Sequence, residues 1–189
     1  VEQILSSHSQ IEGTEELFDL SLICEFLAGG HSAGLEAPDY VEKLLDVPPD
    51  DLSALGASYI YTSRSKRHSS RPHFTDKMPA NWMHVGLIHL ILPNAYIVDV
   101  RRDPISCCFS NFRQNFASGK NFAYDLEELG RYYSAYVRSM AQFDKVLPGR
   151  VHRVHYEALT SKPEEEVRRL LAYLDLPFVE ACLRQHENP

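Results

Sequence analysis

Apolar positions recur at helical spacing through the first third of the chain. Val1, Ile4 and Leu5 are followed by Leu17, Phe18, Leu20, Leu22, Ile23, Phe26 and Leu27, with Gly29-Gly30 as a stop. This third is therefore predicted to be helical. A further helix is expected from Asp39 to Val47, ended by Pro48-Pro49. The next starts at Asp50-Asp51 and carries Leu52, Leu55, Tyr59 and Ile60 toward the basic stretch RSKRHSSRPH. His73 to Asp76 reads as a short extended segment. An amphipathic run from Trp82 to Leu92 follows, broken by Pro93-Asn94. Ala95 to Val100 is the clearest strand, and its apolar run predicts cover on both faces. A helix is expected from Pro104 to about Phe116. A long one runs from Leu126 to Leu147, with Leu129, Tyr132, Tyr133, Tyr136, Val137, Met140 and Phe143 on one broad face. A strand from Val151 to Tyr156 and a helix from Pro163 to about Leu174 complete the pattern. Strands alternating with helices predict an α/β fold with a mostly parallel sheet.

Composition narrows the function classes. The chain has 189 residues, 44% of them hydrophobic and 24% charged, which fits a folded domain and excludes a low-complexity one. Its formal net charge of −7 argues against a globally basic nucleic-acid binder but leaves room for a local basic pocket. Cys24, Cys107, Cys108 and Cys182 show no C-x-x-C spacing, so neither a zinc knuckle nor a secreted disulfide framework is expected. No apolar run reaches the roughly 20 residues of a membrane helix, and no signal peptide opens the chain. A cytoplasmic protein with no membrane or nucleic-acid partner is expected. The opening VEQILSSH lacks an initiator Met and the chain stops at HENP, as expected of a piece of a longer protein.

The candidate chemistry gathers where strands give way to helices, the edge at which open α/β sheets bind ligands and helix N-termini attract anions. Lys77 follows the first extended segment and precedes a helix that Asn81 is expected to cap. Arg102 follows the clearest strand. Asp103 is then a good N-cap, Pro104 suits the first helical position, and Ser106 and Ser110 share a face of the helix. A guanidinium at that place can grip a phosphate bidentately. Tyr156 ends the second strand; most such tyrosines serve the core. Lys77 and Arg102 are expected to emerge from one rim of the sheet. The four histidines at 84, 89, 152 and 155 have no metal-ligand spacing and read as surface or core residues. The basic run Arg64, Lys66, Arg67, His68, Arg71, His73 either attracts an anionic ligand or is simply a solvated helix end, the second being favoured.

The run FTDKMPANWMHVGLIHLILPNAYIVDVRRDPISCCFSNFRQNF, together with VHYEALTSKPEEEVRRLLAYLDLPF and VEQILSSHSQIEGTEEL, resembles the bacterial sulfotransferases related to tyrosylprotein sulfotransferases. These are often fused to tetratricopeptide repeats. The resemblance spans nearly the whole chain and keeps the family's order. It implies a P-loop-like, three-layer α/β fold with a central, mostly parallel sheet flanked by helices. The implied activity is transfer of a sulfuryl group from 3′-phosphoadenosine 5′-phosphosulfate (PAPS) to a hydroxyl or amine acceptor, leaving PAP and using no metal. By resemblance, Lys77 contacts the sulfuryl group and the departing phosphate. Arg102 and Ser110 hold the 3′-phosphate, and Tyr156 lies near the nucleotide. Glu16 is the catalytic base, with Glu15 beside it as the alternative. The family's phosphosulfate loop is expected immediately before Val1, and the segment that closes over the donor after Pro189. The chain then represents a single sulfotransferase domain, 1–189, short of both. Phe18 stands where tyrosylprotein enzymes carry Arg, which argues against an acidic tyrosine peptide as acceptor.

Two other readings compete. A nucleotide kinase needs G-x-x-x-x-G-K-[ST], which the nine glycines never form. A non-catalytic, degenerate domain of the same fold has no need of Lys77, Arg102, Ser110 and an acid at position 16, all of which are present.

Overall fold

The computed structural model describes residues 1–30, 40–114, 116 and 121–185. They form two compact units, Val1–Ala95 with Phe178–Pro189, and Tyr96–Pro177. In the first lie α1 (Glu2–Ser6), β1 (Ile11–Glu12), α2 (Asp19–Ala28), α3 (Pro49–Ser63), β2 (His73–Phe74) and α4 (Val85–Ile91), with short 3₁₀ turns between them. The second holds β3 (Ile97–Arg101), α5 (Pro104–Phe112), α6 (Leu126–Val146), β4 (Val151–His155), α7 (Tyr156–Ser161) and α8 (Pro163–Tyr173). The mixed α/β class predicted from the alternation is present, and both strand pairs are parallel.

The core of the first unit joins three helices. Leu20 and Ile23 of α2, Tyr59 of α3, and Leu87 and Ile91 of α4 pack around Tyr40. Helix α2 ends at Gly29, whose φ of 87° supplies the left-handed cap expected of the Gly29-Gly30 stop. Lys43 Nζ donates to the freed Ala28 carbonyl at 2.6 Å. Where α3 crosses α4, Gly56 is buried, and a Cβ on it would sit 1.9 Å from the Ile91 carbonyl oxygen.

In the second unit, β3 and β4 pair in register from Ile97↔Val151 to Arg101↔His155. Helix α8 lies on β4, and α5 lies on α6. Val154, Val167, Leu170, Leu171, Leu129 and Met140 are buried. Asp99 is buried too, and two cations compensate it. Its Oδ2 accepts from Arg101 Nε at 3.1 Å and from Arg153 Nε at 3.0 Å, while Oδ1 accepts from the Tyr136 hydroxyl. Such a carboxylate is costly to bury alone and stable only with its partners satisfied. It ties α6 to both strands of the ladder.

Several local expectations change. The first third contains β1, a strand two residues long and too short to show a period of two. The segment expected as a helix from Asp39 to Val47 is a 3₁₀ turn at Glu42–Asp46, Asp39 lying outside the described residues. Helix α5 stops at Phe112 rather than near Phe116. Asn81 caps nothing: it lies inside a 3₁₀ turn, Pro79–His84, and His84 takes the N-cap position of α4. Val100 is 51% exposed, because β3 has one ladder partner among the described residues and this face stays open.

Replacing Gly56 with Ala tests the α3–α4 crossing. Helix propensity alone favours Ala by about 1 kcal/mol, but the overlap with the Ile91 carbonyl forces backbone apart, at about 1–3 kcal/mol. Thermal unfolding of G56A should shift to lower temperature; an unchanged or raised midpoint contradicts the close approach.

Candidate functional site

The segments that follow β1 and β2 run side by side beyond the two-residue ladder. His73 N donates to Gln10 O at 3.1 Å, Thr75 N to Glu12 O at 2.9 Å, and Lys77 N to Glu15 O at 2.9 Å. Side chains add to these links. The Thr14 hydroxyl donates to the Thr75 carbonyl, and Thr14 N donates to Thr75 Oγ1 at 3.4 Å. Glu15 adopts φ 61°, uncommon for a residue with a Cβ. Immediately beyond this turn, Glu16 Oε1 meets Lys77 Nζ at 2.6 Å, with both side chains about half exposed. The two residues assigned to the chemical step by resemblance are thus paired, 61 positions apart in sequence. Glu16 rather than Glu15 makes the contact.

A buried carboxylate anchors this layer. Glu12 accepts from Arg67 Nε at 3.1 Å, from Ser69 N at 2.9 Å, from Ser69 Oγ at 2.8 Å and from His68 N. Burial pushes its carboxyl upward. The bonds from Ser69, His68 and Arg67 together outweigh burial and bring it down to about 2. Lys66 pairs with buried Asp19 at 3.0 Å, and Arg71 Nη1 donates to the carbonyls of Ser6 and Ile11 at 3.1 and 2.6 Å. Within the basic stretch, Lys66, Arg67 and Arg71 hold the layer together, while Arg64, His68 and His73 are exposed, as the solvated reading expects. Next to Lys77, Asp76 accepts from the Tyr59 hydroxyl at 2.7 Å, and burial raises its carboxyl despite that bond.

In the second unit, the adjacent parallel strands β3 and β4 deliver Arg102 and Tyr156 to the same sheet edge. Asp103 caps α5 as expected, accepting from Ser106 N at 2.8 Å, and Pro104 opens the helix. Asp103 N donates to Glu157 Oε1 at 2.8 Å, and the Tyr133 hydroxyl donates to Arg102 O at 2.9 Å. The Arg102 guanidinium lies over the Tyr156 ring, 5.3 Å from its centroid. Both side chains remain exposed, so a ligand can reach them. Ser110 stands exposed in the second turn of α5.

Three contributors escaped the sequence reading. Glu2, Thr14 and Thr75 act through contacts between segments more than ten residues apart, which hydrophobic periodicity does not encode. Two of the four histidines have ring contacts within the fold. His84 Nδ1 lies 2.7 Å from the Tyr40 hydroxyl, and His152 stacks on Tyr173 at 4.9 Å between ring centroids. Cys24 Sγ lies 3.6 Å from that same His84 nitrogen, and burial pushes its thiol up to about 11, far from a nucleophilic thiolate. Among the described residues, no group of three His, Cys, Asp or Glu is placed to hold a metal ion, and no helix is long and apolar enough to cross a membrane.

Comparison with known proteins gives this geometry a context. Residues 1–180 match the Sulfotransferase family. The chain belongs to that family. An Aquifex aeolicus protein is 32% identical over 99% of the chain, which corresponds to 25% of that protein's length. A Caenorhabditis briggsae protein named "Putative protein-tyrosine sulfotransferase" is 23% identical over 97% of the chain and 63% of its own length. Its Caenorhabditis elegans namesake is 24% identical over 97% of the chain and 68% of its own length. The sulfotransferase-family chain thus spans from a quarter to about two thirds of these relatives. Its fold matches the sulfotransferase domain from the curacin biosynthetic pathway with a TM-score of 0.65 at 17% identity, covering all of this chain and 73% of that one.

The Glu12 anchor of this sulfotransferase-family chain predicts an acid response. Its folded value of about 2 lies below the ordinary 4.5, so the stability it contributes is complete above about pH 4.5 and is lost as pH falls toward 2. Thermal unfolding of wild type should weaken across that window, and Glu12→Gln should flatten the dependence while lowering stability at pH 7. Parallel curves for the two proteins contradict the anchor.

Proposed function

We propose that the protein transfers a sulfuryl group from PAPS to a hydroxyl or amine acceptor. The observation that carries this reading is the Glu16–Lys77 pair: an acid and a cation 2.6 Å apart, both open to solvent, on a braced main-chain layer. Glu16 removes the proton from the acceptor hydroxyl or amine. The acceptor oxygen or nitrogen forms the bond to sulfur as the bond from sulfur to the donor's bridging oxygen breaks. Lys77 neutralises the charge that collects on the departing 5′-phosphate of PAP. Sulfuryl transfer needs in-line positioning and charge neutralisation, and the sulfuryl group carries less charge than a phosphoryl group, so a lysine suffices at that oxygen.

Magnitudes decide how the resting pair gives way to substrate. An exposed ion pair contributes about 0.2–1 kcal/mol, whereas a hydrogen bond to a charged phosphate contributes about 1.5–3 kcal/mol. Lys77 therefore leaves Glu16 for the donor, which frees the carboxylate to accept a proton. Arg102 and Ser110 hold the 3′-phosphate, Arg102 being pre-oriented by the Tyr156 ring. Tyr156 then borders the nucleotide. Phe18, 60% exposed two residues past Glu16, favours an acceptor with apolar surface over an acidic peptide.

Two variants of the intact protein separate these roles. Lys77→Ala should lower turnover, measured by transfer of labelled sulfur from PAPS across a panel of acceptors, far more than it weakens PAP binding. Arg102→Ala should weaken PAP binding in calorimetry by about 1.5–3 kcal/mol. Full turnover in the first, or unchanged PAP affinity in the second, contradicts the corresponding role. ATP-selective binding points to a kinase, and no nucleotide binding at all to a scaffold.

A further inference from the structure

We infer that Glu2 is a positioning residue for the reaction: its carboxylate braces the turn that presents Glu16 to Lys77. This rests on the reading of Glu16 as the base. Glu2 opens α1, and one of its oxygens, Oε1, bridges the two neighbouring segments. It accepts from Glu15 N at 2.9 Å and from Thr75 Oγ1 at 2.8 Å. The first contact is one residue before Glu16 and the second is two residues before Lys77. Thr75 Oγ1 in turn accepts from Thr14 N at 3.4 Å, so one hydroxyl and one carboxylate oxygen tie together positions 14, 15 and 75 of the layer.

The brace has a specific load. Glu15 sits at φ 61°, a conformation that costs a residue with a Cβ and persists only where its surroundings hold it. Its amide is fixed by Glu2 and its carbonyl accepts from Lys77 N at 2.9 Å. Both peptide groups that set the direction of residue 16 are therefore held from outside the turn. An ionised acceptor forms a shorter and stronger bond than a neutral one, which suits an amide under strain. Without Glu2, Glu15 relaxes toward negative φ and turns the Glu16 carboxylate away from Lys77. Misplacement by about 1 Å is enough to cost a reaction up to 10²-fold. Glu2 bonds to the Glu15 amide and the Thr75 hydroxyl, so its effect on Glu16 and Lys77 runs through the segments that carry them.

The test uses Glu2→Ala and Glu2→Gln in the intact protein, with Glu16→Gln as a control. Glu2→Ala should lower kcat about 10-fold or more with the KM for PAPS within about twofold. Glu2→Gln, which keeps an acceptor oxygen, should recover most of the loss. Amide hydrogen exchange in the peptide that spans residues 14–16 should accelerate in Glu2→Ala and not in Glu2→Gln. Wild-type kcat with unchanged exchange in Glu2→Ala overturns the brace, even where Glu16→Gln is inactive. An active Glu16→Gln instead overturns the base, and the exchange measurement still decides whether Glu2 holds the turn. Where Glu2→Ala does not fold, Thr75→Val carries the test: a lowered kcat at constant KM supports the brace, and an unchanged kcat overturns it.

Discussion

The parallel run of residues 10–15 beside residues 73–77 is the constraint on which the candidate site depends. Two residues of formal ladder are a weak sheet, and alone such a pairing is marginal in water. Here it is reinforced on all sides. Glu12 draws four donors from residues 67–69, Arg71 closes on the carbonyls of α1 and β1, and the Thr14 and Thr75 side chains interlock beyond the ladder. The two chains then leave the layer at equivalent heights, and Glu16 and Lys77 meet. The meeting follows from backbone register and not from the strength of the ion pair, which is exposed and weak on its own.

The same economy of charge recurs across the protein. The sequence carries a formal −7, and several of its cations are committed to fixed partners within the fold. Lys66, Arg67 and Arg71 are committed to carboxylates and carbonyls of the first unit, as Arg101 and Arg153 are to Asp99 in the second. Lys77 and Arg102 differ in kind. One rests on an exposed partner and the other on an aromatic face, and both stay open to solvent.

The major elements were legible because they are long or carry strong punctuation. α6 and α8 show sustained helical spacing, β3 and β4 show compact runs with turn residues beyond them, and Asp103-Pro104 announces the start of α5. The junction residues Lys77 and Arg102 were legible for the same reason: strand ends and helix starts bracket them. What the pattern hid was set by contacts at long range. β1 is too short for a period, and Asp19 and Glu12, the partners of Lys66 and Arg67 in the basic run, lie some fifty positions earlier. Asn81 has the right chemistry for a cap, but Pro79 begins a 3₁₀ turn there and shifts the helix start to Val85. Glu2 resembles any acid in a first helical turn until its two acceptor contacts are seen.

The most direct measurement is a crystal structure of the intact protein with PAP bound. The proposed role of Lys77 predicts its Nζ withdrawn from Glu16 and within hydrogen-bond distance of the nucleotide's 5′-phosphate. A nucleotide seated elsewhere, with the Glu16–Lys77 pair undisturbed, would contradict it.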